Sequence, residues 1–458
     1  MNVTGLHRCF QVVALALAVG TQGPLAAQDA KPADLLLRVG RVHVGDGRVL
    51  ENVRIRIHEG KFQSIEPDTG ALPEGVEVRD LRRMSLMPGL VAAHTDLVAV
   101  DLEPNLSPGS VAADQFDLYR KYDALVRSGL TTVYLSPGRQ RLVSGQGSVV
   151  KLAGNDPMNR VLRPQSAMRV AVDSSARNGI PAVFEPTESP TDDDPLVPAR
   201  QQWGSTRASQ LQALDNAFAE ARIEGKERGG VGSDLVRYPL DPLRQVLRNE
   251  LPIRLATGSA ADAWAALTWA KSIGAKTVLE KPDDVVPLRD DLARSDVPVI
   301  VAMPLRPGAP NAGDYVSDPD ARRVSRPEAA GELARAGVKV AIVPPSDQDL
   351  DKLRMLAGLA GRYGLPARSA LASVTLEAAK MLGVDARVGS IEPGKDADFV
   401  VLTGAPFDAR TQVEAVYVDG NRLFTREDRA PVFAIRAERV LAGDGQEYRN
   451  GVVVVKGN

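Results

Sequence analysis

The sequence predicts an α/β protein: a TIM-like (β/α)8 barrel beside a composite β-sheet built from both ends of the chain. Three observations carry this expectation. Residues 35–66 alternate apolar and polar around Gly45-Asp46-Gly47 and Glu59-Gly60-Lys61 turns, the period of a small antiparallel sheet. From Ser85 onward, strand-like apolar runs alternate with helical stretches, the pattern of βα units wound by right-handed crossovers. Period-two strands return after Arg387.

The chain opens with Arg8, an apolar run from Phe10 to Val19, and the small-residue stretch TQGPLAAQDA. This is the layout of an export signal, so residues 1–27 are expected to be removed and the protein to be exported, periplasmic or secreted. Removal would take away Cys9, the single cysteine of the 458 residues, and His7. One cysteine excludes intrachain disulfides and any cysteine-based zinc cluster. No later stretch approaches the ~20 apolar residues of a membrane-spanning helix. Lys and Arg number 56 against 58 Asp and Glu, so no basic excess points to nucleic acid.

Three regions follow. Residues 33–86 form the N-terminal part of the composite β-domain, 87–385 the barrel, and 386–458 the C-terminal part of the β-domain. Within the barrel, SLMPGLVAAH reads as a buried strand, DQFDLYRKYDALVRSG (114–129) as a helix, and LTTVYLSP as a strand. ELPIRLATG then pairs with ADAWAALTWAKSIG, KTVLEK with VVPLRDDLARS, and PVIVAMP with RPEAAGELARAG. KVAIVPP is the last barrel strand, with helices near 349–363 and 366–382. Trp264 and Trp269 are read as helix residues packed in the core. EPTESPTDDDPLVPAR (185–200) and residues 304–323 read as loops.

Residues 433–458 align without gaps to residues 35–60, with Arg38/Arg436, Arg41/Arg439, Val42/Val440, Gly45/Gly443, Asp46/Asp444, Gly47/Gly445 and Asn52/Asn450 identical. Three readings stand: a generic likeness between hairpins, the start of a second module, or an extra hairpin extending the existing sheet.

MPGLVAAHTD (87–96) resembles the first-strand motif PGLxxxHxH of the amidohydrolase superfamily. The closing segment, with TLEAAKMLG, GSIEPGKDADFVVL and VEAVYVDG, resembles the same superfamily, most of all its imidazolonepropionase-type members. LVSGQGSVVKLAG and ELARAGVKVAI fit the same group, so the likeness spans nearly the whole chain after residue 27. It implies a metal-bearing barrel with a composite β-domain, hydrolysing carbon–nitrogen (non-peptide) bonds with a metal-activated water.

The resemblance also implies a ligand set, and the sequence departs from it. His94 matches the first His of the motif, and Asp96 stands where the second is expected; these two are the candidate metal ligands. Ala256, Thr257 and Gly258 occupy the fifth-strand His segment, Lys281 the sixth-strand His, and Pro345 the eighth-strand Asp. Asp347, two residues on, is the candidate catalytic acid. Lys151 matches the family's mid-barrel Lys or is a core-edge lysine; with Lys281 it is the candidate for substrate binding. His43 and His58 lie in the small sheet, which leaves one imidazole for a site that normally uses about four. Lys281 is expected to pair with Asp96 or Glu280, an ammonium replacing the metal's charge.

Two functions are carried forward. One is a metal-depleted amidohydrolase-family protein with no cofactor, acting as a binding scaffold for a small-molecule ligand, as the partner of an active amidohydrolase module, or as a homo-oligomer. The other is an active hydrolase holding Zn, Mn or Mg at an atypical site around His94, Asp96 and Asp347.

Overall fold

The computed structural model describes residues 34–73, 75–98, 106–138, 141–154, 156–173, 176, 206–231, 236–305, 326–426, 432–441 and 446–456. The expected signal segment, the 185–200 loop and most of the 304–323 loop lie outside the described residues.

The N-terminal strands are β1 (Leu35–His43), β2 (Val49–His58), β3 (Lys61–Pro67) and β4 (Glu77–Pro88). Gly89 breaks the backbone, and β5 (Leu90–Thr95) turns into the barrel. The barrel continues with β6 (Leu130–Leu135), β7 (Val143–Lys151) and β8 (Val161–Val172). A short hairpin of β9 (Arg228–Val231) and β10 (Val236–Pro239) precedes β11 (Ile253–Thr257), β12 (Thr277–Glu280), β13 (Val299–Ala302) and β14 (Val340–Val343). The C-terminal strands are β15 (Phe399–Leu402), β16 (Val413–Val418), β17 (Asn421–Thr425), β18 (Val432–Leu441) and β19 (Glu447–Lys456).

The composite sheet is seven-stranded, in the order β17-β16-β15-β4-β1-β2-β3, so both chain ends build it. Its alternating pattern buries one face: Leu37, Val39, Ile55, Ile57, Phe62, Leu86, Phe399 and Val401 form its core.

The barrel sheet runs β5-β6-β7-β8-β11-β12-β13-β14, and β14 packs back against β5 to nearly close the ring. One strand departs from a uniform βα repeat: β7 is antiparallel to both β6 and β8. The connections at 136–142 and 152–160 are too short for a helical crossover, so the chain must reverse. From β11 onward the expected alternation holds, with helices Ala260–Ser272, Arg289–Arg294 and Ala329–Arg335 between parallel strands. The strand interior carries Val91, Ala93, Tyr134, Val149, Val278, Ile300, Ala341 and Val343, a packed barrel core.

Two local expectations are corrected. The segment 114–129 is α-helical only over Asp123–Arg127, with a 3-10 turn at Ala112–Gln115. The Asp117 carboxylate accepts from the backbone of Tyr119 and Arg120, a local turn that competes with helix. Trp264 is 60% exposed, whereas Trp269 is buried with its indole N–H donating to Asp215.

Candidate functional site

His94, at the C-terminal end of β5, is brought to the barrel mouth by a register shift between Ala92 and Thr95. Its Nε2 lies 3.3 Å from Asp96 and its Nδ1 3.3 Å from Glu280, at the end of β12. Asp347, from the turn after β14, reaches across the closure and accepts the Asp96 backbone N–H at 2.8 Å. His94 and Asp96, two residues apart, thus converge with Asp347, which is distant in sequence. Burial and the nearby Asp96 charge push the Asp347 carboxyl above its ordinary value, against smaller opposing effects of His94, the Asp96 N–H and Lys281.

The expected pairing of Lys281 with Asp96 or Glu280 is not what the chain builds. Lys281 has a positive φ of 46°, and its ammonium donates to the Pro345 carbonyl at 3.3 Å. Glu280 is claimed instead by two arginines on the barrel strands. Arg169 on β8 donates through Nε to Oε1 at 2.8 Å, and Arg254 on β11 through Nε to Oε2 at 2.9 Å. Burial would raise the Glu280 carboxyl, but His94, Arg169 and Arg254 outweigh it and hold it well below the usual range. Arg169 also donates to the Ser144 hydroxyl at 3.1 Å, and Arg254 to the Ala93 carbonyl at 2.9 Å. The Arg254 guanidinium carbon lies 3.6 Å from the Tyr134 ring centroid, a cation–π contact between two buried side chains. Close packing continues behind it: a Cβ on Gly147 would lie 1.8 Å from the Tyr134 hydroxyl oxygen.

Lys151 lies at the other end of the barrel. Because β7 is antiparallel, Ser148 sits opposite Leu135 and Lys151 opposite Thr132, toward the N-terminal end of β6. Its ammonium is fully buried and contacts Asp419 at 2.6 Å, Asp396 at 2.9 Å and Asp398 at 3.0 Å. Burial would lower the amine, but the three carboxylates outweigh it and raise it. Lys151 therefore ties the barrel floor to the composite sheet and is turned away from the mouth.

A divalent cation does not fit these donors. Among the described residues no group of three or more His, Cys, Asp or Glu side chains is placed to hold a metal. Both Glu280 oxygens are taken by guanidinium groups, and His94 directs its two nitrogens at carboxylates. Arg169 and Arg254 are the charged residues of this cluster that the motif reading missed. The signal was a charged residue inside each of the apolar strands AMRVAV and PIRLAT.

The model of the amidohydrolase family matches residues 259–423, and an amidohydrolase from Thermotoga maritima MSB8 superposes with a TM-score of 0.68. The likeness to the amidohydrolase family is carried in sequence by residues 259–423. That superposition covers 86% of this chain and 100% of the other at 24% identity, a likeness of fold. A Xaa-Pro dipeptidase with methionine in its active site superposes at TM-score 0.51 and 18% identity, covering 86% of this chain and 100% of that one. Among curated relatives, adenine deaminase 3 of Rhizobium meliloti (strain 1021) is 31% identical over 113 residues, 24% of this chain and 17% of that protein. Amidohydrolase tasK of Hapsidospora irregularis is 44% identical over 62 residues, 14% of this chain and 6% of that protein. The matched stretches thus span under a fifth of these relatives. Among the described residues no helix is long and apolar enough to cross a membrane.

Proposed function

We propose that this amidohydrolase-superfamily barrel has exchanged its metal for an arginine–glutamate–arginine clamp and acts as a metal-independent binding protein. The observation that carries the reading is Glu280 held by Arg169 and Arg254 where a cation and its ligands are expected. Two fixed guanidinium groups supply positive charge at the barrel mouth without a coordination sphere. The ligand is a small polar molecule entering at the C-terminal ends of the strands, with Asp96, Lys281 and Asp347 around it. Export to the periplasm or medium is proposed from residues 1–27 alone. The finer likeness to imidazolonepropionase-type members rests on the closing sequence segment.

A second reading is favoured by one observation. Asp347 has a raised carboxyl and sits beside the His94–Asp96 pair, an arrangement able to hold and release a proton. On that reading the protein hydrolyses carbon–nitrogen bonds at an atypical centre. Metal analysis of protein purified without chelator separates the two. The binding-protein reading expects far less than one Zn, Mn, Mg or Fe per chain. A stoichiometric metal, with hydrolysis that disappears when it is stripped, would overturn it.

A further inference from the structure

The hairpin β18–β19 repeats the register of β1–β2 but pairs only with itself, so it does not extend the seven-stranded sheet. A concavity with the makings of a ligand site lies elsewhere, at the barrel floor, on the opposite end from His94. A cavity of about 770 Å3 opens there. Its walls are the segment 118–127 that leads into β6, the connection after β7, and β17 at the edge of the composite sheet. The volume is within the range of about 300–1,000 Å3 that small-molecule sites occupy.

One wall is backed by a stack of charges and rings. The Arg160 guanidinium carbon lies 5.7 Å from the Phe116 ring centroid. Phe116 and Tyr122 stack with centroids 5.4 Å apart and planes at 9°, and Arg120 lies 5.3 Å from the Tyr122 centroid. The two ends of the stack differ. Arg160 is buried and spends its guanidinium on the carbonyls of Leu118, Lys151 and Leu152. Arg120 is exposed, and its side chain has no hydrogen bond or ion pair among the described residues. Arg127 is held in the same manner, 5.8 Å from the Phe424 centroid on β17, and it too has no carboxylate partner. Lys121 is likewise unpaired. Asp123 is the one acidic residue of the lining. Asp117, on the same segment, turns its Oδ1 to the backbone N–H groups of Tyr119 and Arg120. Tyr122 is only 9% exposed, and its hydroxyl has no recorded hydrogen-bond partner among the described residues.

A ring face positions a guanidinium without neutralising it. An arginine held by a carboxylate has its charge and its paired donors engaged, whereas one held by a ring keeps its N–H fork open to an oxyanion. Holding it in place beforehand also lowers the side-chain entropy lost when a ligand arrives. Val126, Leu152 and Leu423 give the same cavity an apolar surface.

From this we infer that the floor cavity is a second ligand site, for a small organic anion with a carboxylate or phosphate on an apolar body. The oxyanion meets Arg120, Arg127 and Lys121 and accepts from the Tyr122 hydroxyl, and the apolar body lies against Val126 and Leu423. Arg160 joins this wall to the end of β7, so occupancy stabilises the junction between barrel and composite sheet. The inference is independent of the chemistry at the barrel mouth.

Titration calorimetry and thermal unfolding of the full chain test it, with phenylacetate and phenyl phosphate as probes. One or both should saturate the protein, raise its melting temperature, and bind about tenfold or more tightly than acetate or inorganic phosphate. The tighter of the two names the oxyanion. Phenethylamine, of similar size and opposite charge, should not bind. Arg120→Gln and Arg127→Gln, both changes on exposed side chains, should each weaken binding about tenfold in protein that still unfolds cooperatively. Lys281→Gln, at the barrel mouth, should leave binding unchanged. No saturable binding of either probe at millimolar concentration would overturn the proposal, as would equal affinity for inorganic phosphate. So would binding that is lost in Lys281→Gln and kept in both arginine variants, which would assign the anion to the mouth.

Discussion

Arg169 and Arg254 stand directly opposite one another on neighbouring parallel strands, and the single carboxylate of Glu280 accepts from both. Like charges in such a cross-strand pair repel. In a buried position the pair is tolerable only with a counter-charge between them, and Glu280, two residues past the Arg254 partner Val278 on β12, provides it. The clamp is thus one unit, and removing any member should be felt by the others.

Glu280→Ala leaves two guanidinium groups buried without their carboxylate. A loss of about 3–5 kcal/mol in unfolding free energy is expected, read by urea denaturation. A change below ~1 kcal/mol would mean that the clamp is wetter and weaker than its burial indicates.

The pH dependence of stability should carry opposite slopes from two carboxyls. Glu280 is depressed, so its contribution is present above its ordinary 4.5 and is lost as pH falls toward its folded value. Asp347 is raised, so between its ordinary 3.8 and its folded value the native state holds the extra proton, and stability declines as pH rises through that interval. Asp347→Asn retains an oxygen to accept the Asp96 N–H. It should remove this decline and raise the melting temperature at neutral pH.

Lys151→Met is expected to destabilise the fold by about 3–5 kcal/mol, because three carboxylates lose their shared cation. Ligand affinity at the mouth should be unaffected in protein that remains folded. A variant with wild-type melting temperature and weakened ligand binding would restore the substrate-binding role.

On the metal-independent reading, treatment with EDTA should leave the melting temperature unchanged, since no metal-binding free energy would then be coupled to folding. A clear fall in the wild type that is absent in His94→Ala would locate a bound cation at this imidazole.

Gly147→Ala places a methyl group into the Tyr134 ring, which backs the Arg254 guanidinium. Overpacking of this kind costs about 1–3 kcal/mol. The loss should appear in calorimetry together with a change in near-ultraviolet tyrosine dichroism.

Much of the fold was legible in local pattern. Period-two strands at both ends, the alternation from β11 to β14, and the repeat at 433–458 depend on side-chain periodicity and turn residues, which act over a few positions. The same holds for His94 and Asp96, at the end of β5 and just past it. Three features depended on chain paths. The reversal of β7 was set by connection length, and of the two readings of Lys151 it favours the core-edge lysine, at Asp396, Asp398 and Asp419 on the barrel floor, over the mid-barrel one. Asp347 met Asp96 only because β14 closes on β5. Lys281 was expected to supply the cation, but the barrel's register aligned Arg254 with Arg169 and brought both to Glu280. Scarcity of imidazole, a property of composition, already argued against an ordinary metal centre. Which charges meet Glu280 is a matter of register between strands about eighty residues apart, and only the closed sheet, where electrostatics acts through space, decides it.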